Sequence, residues 1–147
     1  MVEPFQGWRH LNVTRPRTKL EFAQCMAELV DVHFPEAEYI RVVLDNLSTH
    51  TPAALYEVFP PADARRLLRK LEFHRTPVHG SWLNMPEIEL ALLARLCLNR
   101  RIPDVHSMAC EVAAWERRNR CQAPIDWHFT TKDARIKLQS LYPKESE

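Results

Sequence analysis

The order of apolar segments along the chain predicts an α/β fold, and three observations carry that expectation. The run Tyr39-Ile-Arg-Val-Val-Leu44 is nearly continuous in apolar character, as in a strand buried on both faces of a parallel or mixed sheet. Upstream, Phe22, Met26, Leu29 and Val30 recur at the spacing of a core-facing helix side. Helical and extended segments then follow as strand, helix, strand, helices, strand, helices, so the later helices are expected to pack round a small sheet.

The bulk numbers set the scale. With 147 residues, the chain is read as one domain over residues 1–147, long enough to bury a core. An apolar fraction of 46% and a charged fraction of 27% are those of an ordinary globular protein. The two glycines, Gly7 and Gly80, argue against phosphate-cradling loops and flexible linkers. The eleven prolines sit mostly between elements and read as punctuation. No apolar run is long enough for a membrane span, and no signal peptide is visible, so a cytoplasmic protein is expected. The four cysteines lack close paired spacing. Cys25, Cys97 and Cys110 fall on apolar-periodic helices and are expected as buried free thiols.

Element by element, Gly7–Thr14 alternates as a strand, with Trp8, His10 and Asn12 on one face and Arg9, Leu11 and Val13 on the other. Thr18-x-x-Glu21 is a capping box that opens a helix ended by Phe34-Pro35. After the Tyr39–Leu44 strand, Thr51 is expected to cap a helix with Pro52 in its first turn, running to about Phe59. Pro60-Pro61 breaks it. Ala62–Leu71 is a basic helix and Glu72–Val78 a short strand. A helix from about Asn84 to Arg100 is apolar almost all round and is expected to be buried on more than one side. Asp104 caps the next helix, whose face is Val105, Met108, Val112 and Trp115. Thr130-x-x-Asp133 opens a last helix carrying Ala134, Leu138 and Leu141.

Two acidic positions carry the chemistry. Asp45 lies just past a strand, at the carboxyl-end crevice where α/β sheets place their sites. Glu87 and Glu89 start a helix, about 200° apart around its axis, so only one can face a common site. Carboxylates converging from a strand end and a helix start bind hard divalent cations. Two such ions can clamp the attacking and leaving oxygens of an in-line phosphoryl transfer. The plainer readings stand beside this one: Asp45 as a turn residue, Glu87 as the partner of Asn84 at a helix start. Ser48 and His50, close neighbours of Asp45, have a spacing poorly suited to a hydrolase triad, and His74 with His79 make a poor zinc pair. Net charge is +1, yet positive charge clusters at Arg65, Arg66, Arg69, Lys70, at Arg95, Arg100, Arg101 and at Arg117, Arg118, Arg120. Such runs read as solvated helix faces or as phosphate contacts.

Whole stretches resemble a known family. Leu44-Asp-Asn-Leu-Ser-Thr-His50 and Glu72-Phe-His-Arg-Thr-Pro-Val-His-Gly-Ser-Trp-Leu-Asn-Met-Pro-Glu87 are similar to the catalytic domain of DDE-superfamily insertion-sequence transposases of the Tc1/mariner-like kind. The similarity continues through Cys97–Pro103, Trp115–Asn119 and Trp127–Leu138. It implies a ribonuclease H-like fold with a helical C-terminal part, and DNA cleavage and strand transfer during transposition. By position, Asp45 matches the second catalytic aspartate and Glu87 the catalytic glutamate, together ligating Mg²⁺ or Mn²⁺ in a two-metal site. Asn46, His50, Ser81, Trp82 and Asn84 match the flanking motifs, and Glu89 becomes structural. In that family the first catalytic aspartate lies on the first strand, after a DNA-binding helix-turn-helix. No acidic residue before Asp45 matches it, so the fold is expected to be truncated at the N-terminus, lacking the first strand and most of the second. The implied partners are DNA, as transposon ends and target, a chain or segment carrying the missing module and aspartate, and a second copy in a homo-oligomer. An inactive remnant and a co-opted DNA- or partner-binding module are the alternative readings.

Overall fold

A computed structural model describes residues 1–77, 85–119, 128, 130–137 and 139. The chain opens with a small antiparallel pair, β1 (Val2–Glu3) and β2 (Trp8–Arg9). Its turn is held by the Glu3 carboxylate, which accepts from the backbone N–H of Phe5 at 3.0 Å and Gln6 at 2.6 Å. Gly7 closes the turn at φ 70°, a conformation only glycine adopts without steric cost. The strand expected over Gly7–Thr14 is thus reduced to two residues, but its alternation survives. Trp8, His10 and Asn12 meet the next helix, whereas Arg9, Leu11 and Val13 turn toward the C-terminal helices.

Helix α1 (Lys19–Glu28) begins at the expected capping box: Thr18 Oγ1 accepts from Leu20 N at 3.2 Å, and Glu21 accepts from Thr18 N at 2.9 Å. It runs into a wider turn, Leu29–His33, closed by Phe34 N donating to Leu29 O at 3.0 Å. Phe22, Met26, Leu29 and Val30 are all buried, as their spacing predicts.

Strand β3 (Ile40–Leu44) pairs in parallel with β4 (Leu71–Arg75), Ile40 opposite Leu71 and Leu44 opposite Arg75. Between them come α2 (Ala53–Val58) and α3 (Pro61–Lys70). The expected Thr51 cap is corrected: the residue before α2 is Pro52, already helical at φ −55° and ψ −33°, with no side-chain cap. The expectation of a strand buried on both faces is also corrected. Arg41 and Val43 are exposed, because only one face of this pair is covered by helices among the described residues. Leu44 and Leu71 join Phe22, Ala23, Met26, Leu29, Val30, Ala54, Leu55, Ala64 and Leu67 in one core.

A second, smaller core is built from α4 (Met85–Leu93), the wide turn Ala94–Leu98 after it, and α5 (Val105–Asn119). Leu93, Val112 and Trp115 are buried there, with Leu11 and Val13 of the N-terminal segment packed on them. Asp104 caps α5 as expected, accepting from Ser107 N at 2.8 Å. Helix α4 departs from expectation: Ile88, Leu90 and Leu96 are exposed, and its buried positions are Glu89 and Leu93. One stripe of this segment suffices to cover the small core, so the rest of its apolar surface faces outward. The three described cysteines follow suit, Cys25 and Cys97 being half-buried and Cys110 exposed, all three free thiols. Helix α6 (Thr131–Lys137) starts at the Thr130–Asp133 box, Thr130 N donating to Asp133 at 2.9 Å. The apolar positions assigned to that helix lie outside the side chains described.

Candidate active site

The parallel register sets the ends of β3 and β4 level, and the chain leaving β3 presents Asp45 there. Three ties hold the loop that follows. Thr76 N donates to Leu44 O at 2.8 Å, extending the ladder by one residue. Asn46 Nδ2 donates to Thr76 O at 2.8 Å. The Arg75 guanidinium donates to Asp45 O at 3.2 Å and to His50 O at 2.5 Å, bracing both ends of the loop from the last position of β4.

Within this frame His50 Nδ1 lies 2.8 Å from Asp45 Oδ1, an oxygen that also accepts from Leu47 N at 3.3 Å. A carboxylate can only accept, so Nδ1 carries the proton. The other face of the arrangement is apolar, the Phe22 ring stacking on His50 at 4.9 Å. Asp45 Oδ2 makes no hydrogen bond among the described residues, and the side chain is 39% exposed. An accessible, unspent carboxylate oxygen with room for water suits a hard cation such as Mg²⁺. Asn46 and His50 therefore hold Asp45 and its loop. Ser48 is exposed, so the Asp45–His50 contact is not extended into a triad.

Glu87 lies in the first turn of α4 and is exposed. Glu89, two residues on, is buried and spends both oxygens on Arg9, at 2.9 Å from Nε and 2.9 Å from Nη2. Of these two acidic residues, Glu87 is the one with a carboxylate to offer. Ser81, Trp82 and Asn84, and with them the loop that leads from β4 to Glu87, lie outside the described residues.

Part of the clustered positive charge is spent on protein groups. Arg66 grips Asp31 with both terminal nitrogens, at 2.6 and 2.9 Å, and holds that carboxyl below its ordinary range. Lys70 donates to Pro35 O at 2.7 Å, and Arg100 pairs with Glu111 at 2.5 Å.

The sequence reading overlooked a second cluster. His10, Glu28 and His33 bring one ligand atom each to within 4.8 Å of one another. Glu116 touches the outer nitrogen of His10 at 3.2 Å. Glu28 and His33 are five apart, which a regular helix does not bring onto one face, and His10 lies well upstream, so no spacing motif links them.

An aspartate at the end of a parallel strand pair, its carboxylate held by a histidine and its backbone carbonyl by an arginine, belongs to the class of mixed α/β proteins that build their sites at strand ends. The family is specific: residues 1–109 match that of the DDE superfamily endonucleases, and the chain belongs to it. No curated protein and no solved structure matches the chain. The family implies DNA as substrate. Among the described residues no helix is long and apolar enough to cross a membrane.

Proposed function

We propose that this chain is the part of a mariner-like DDE transposase that carries the second catalytic aspartate, Asp45, and the catalytic glutamate, Glu87. The proposed fold is ribonuclease H-like, with the β3–β4 pair as part of a larger sheet. The single observation behind the proposal is the preparation of Asp45: one oxygen fixed by His50 and Leu47 N, the other unspent and accessible. Asp45 and Glu87 would hold Mg²⁺ or Mn²⁺, which supplies charge neutralisation for the attacking and leaving oxygens of a phosphodiester. A third carboxylate and a DNA-binding module would come from another segment or chain. His50 keeps Asp45 oriented, Arg75 keeps the loop on the sheet end, and Phe22 shuts water away from one side of the imidazole.

The experiment combines this polypeptide with a segment carrying the remaining aspartate and measures cleavage and strand transfer on transposon-end DNA with Mg²⁺. Asp45→Asn and Glu87→Gln are each expected to lower the rate by about 10² or more while leaving the fold intact. Full activity in both folded variants would refute the assignment. The 147-residue polypeptide alone is expected to be nearly inactive, since two carboxylates leave the metals under-ligated.

A further inference from the structure

We propose that His10, Glu28 and His33 form a binding site for one transition-metal dication of the zinc class, fastening the N-terminal segment to the end of α1. Three independent features point to it.

The first is the convergence of donors. His10 Nε2 is 3.3 Å and His33 Nε2 3.5 Å from the same oxygen, Glu28 Oε1. Around a tetrahedral zinc the ligand atoms stand about 3.3 Å apart, so two of the three edges are already in place. The second is the state of the nitrogens. Both Nε2 atoms are buried without a hydrogen bond of good geometry, and each instead stands at ion-pair distance from Glu28 Oε1. Buried polar atoms without good hydrogen bonds call for an explanation, and an ion seated between two imidazoles and a carboxylate satisfies both at once. The third is the outer shell. Glu116 Oε1 sits 3.2 Å from His10 Nδ1, which fixes the proton there and turns the Nε2 lone pair inward. Asn12 Nδ2 donates to Glu28 Oε2 at 2.8 Å, leaving Oε1 to face the histidines.

The backbone is shaped to suit. Glu28 and His33 are five apart, which on a regular helix separates them by about 140°. The wide turn Leu29–His33, with its bond from Phe34 N to Leu29 O, brings residues five apart onto one face. Trp8 packs edge-on against the His33 ring at 4.9 Å and limits its rotation. Two imidazole nitrogens with one carboxylate oxygen favour zinc-class ions over Mg²⁺. The open fourth position would take a water.

The test uses the chelator-stripped chain in excess Mg²⁺, with Co²⁺ as the spectroscopic probe and Zn²⁺ as competitor. Expected are one equivalent of Co²⁺ with tetrahedral visible bands, its displacement by Zn²⁺, and a rise in Tm of about 5–10 °C at a hundredfold excess of Zn²⁺ over Kd. His33→Gln should abolish the bands. Glu116→Gln, which leaves all three ligands in place, should weaken binding about 10–100-fold. His106→Gln combined with Cys110→Ser, which removes an exposed pair 3.8 Å apart, should change nothing. Absence of stoichiometric binding would overturn the proposal. So would bands that survive in a folded His33→Gln variant, or bands lost only in the His106/Cys110 double variant.

Discussion

Asp45 and His50 pair in a setting where both are partly exposed, so their contact positions more than it stabilises. His50→Ala is accordingly expected to cost under about 1 kcal/mol in urea unfolding, while lowering strand cleavage by the reconstituted enzyme. The Arg9–Glu89 pair is the opposite case. With side chains 4% and 10% exposed, removing one partner strands a buried charge. Glu89→Ala is expected to destabilise by about 3–5 kcal/mol, and Arg9→Met with Glu89→Leu to recover most of it; equal urea midpoints for the single and double variants would count against this. Acid should weaken the fold through His33 and Glu28. His33 is depressed below 6.5 chiefly by burial, so its share of stability is present above 6.5 and is lost as pH falls through the lower folded value. Glu28 is lowered below 4.5, first by the Asn12 hydrogen bond, and loses its share in the same direction at lower pH. The groups facing them are His10 from the segment after β2 and Glu116 from α5. Urea midpoints should therefore fall from about pH 7 to about pH 5, and fall less in His33→Gln. What the sequence made legible at this scale was local: Asp45 and His50 lie in one contiguous word. Arg9 with Glu89 is a pairing across 80 residues, and Glu28 with His33 meet only because the helix widens. Arg75 also escaped notice, since a strand-end arginine bracing two carbonyls leaves no pattern.

Local hydrogen bonds determined where helices begin, which explains why those starts were readable and others were not. The boxes at Thr18 and Thr130 and the Asp104 cap use side chains within three residues of the backbone groups they serve. Thr18→Ala is expected to cost about 1 kcal/mol, with Thr18→Ser close to the parent; circular dichroism melts distinguish the two. The Thr51 cap failed because Pro52 can itself take helical angles and carry the start without it. Helix α4 misled through composition. An apolar sequence states what could be buried, whereas burial depends on how much neighbouring surface arrives to cover it.

At the scale of the molecule, the parallel pair β3–β4 has no third strand among the described residues. Parallel sheets are ordinarily wider and covered on both faces. Here Tyr39 and Val43 stay exposed beside unpaired strand edges, as do Ile88, Leu90 and Leu96 on the second core. The polypeptide by itself is thus expected to be marginally stable and to associate through these edges as concentration rises. Addition of a segment supplying further strands should shift it toward a defined complex. Sedimentation velocity across a hundredfold concentration range is the measurement, and a concentration-independent monomer with sharp unfolding would contradict the expectation.

The first thirteen residues touch both cores. Trp8 packs with the first, Leu11 and Val13 with the second, while Arg9 reaches α4 and His10 reaches α5. Asp45 stands on the first of these bodies and Glu87 on the second, so the short segment acts as a linchpin for the two residues proposed to be catalytic. Tension applied at Met1 loads the two bodies together, through one short segment whose side chains are seated in each. A single rupture event, followed by slack in both, is the mechanical signature that this arrangement predicts for a tethered molecule.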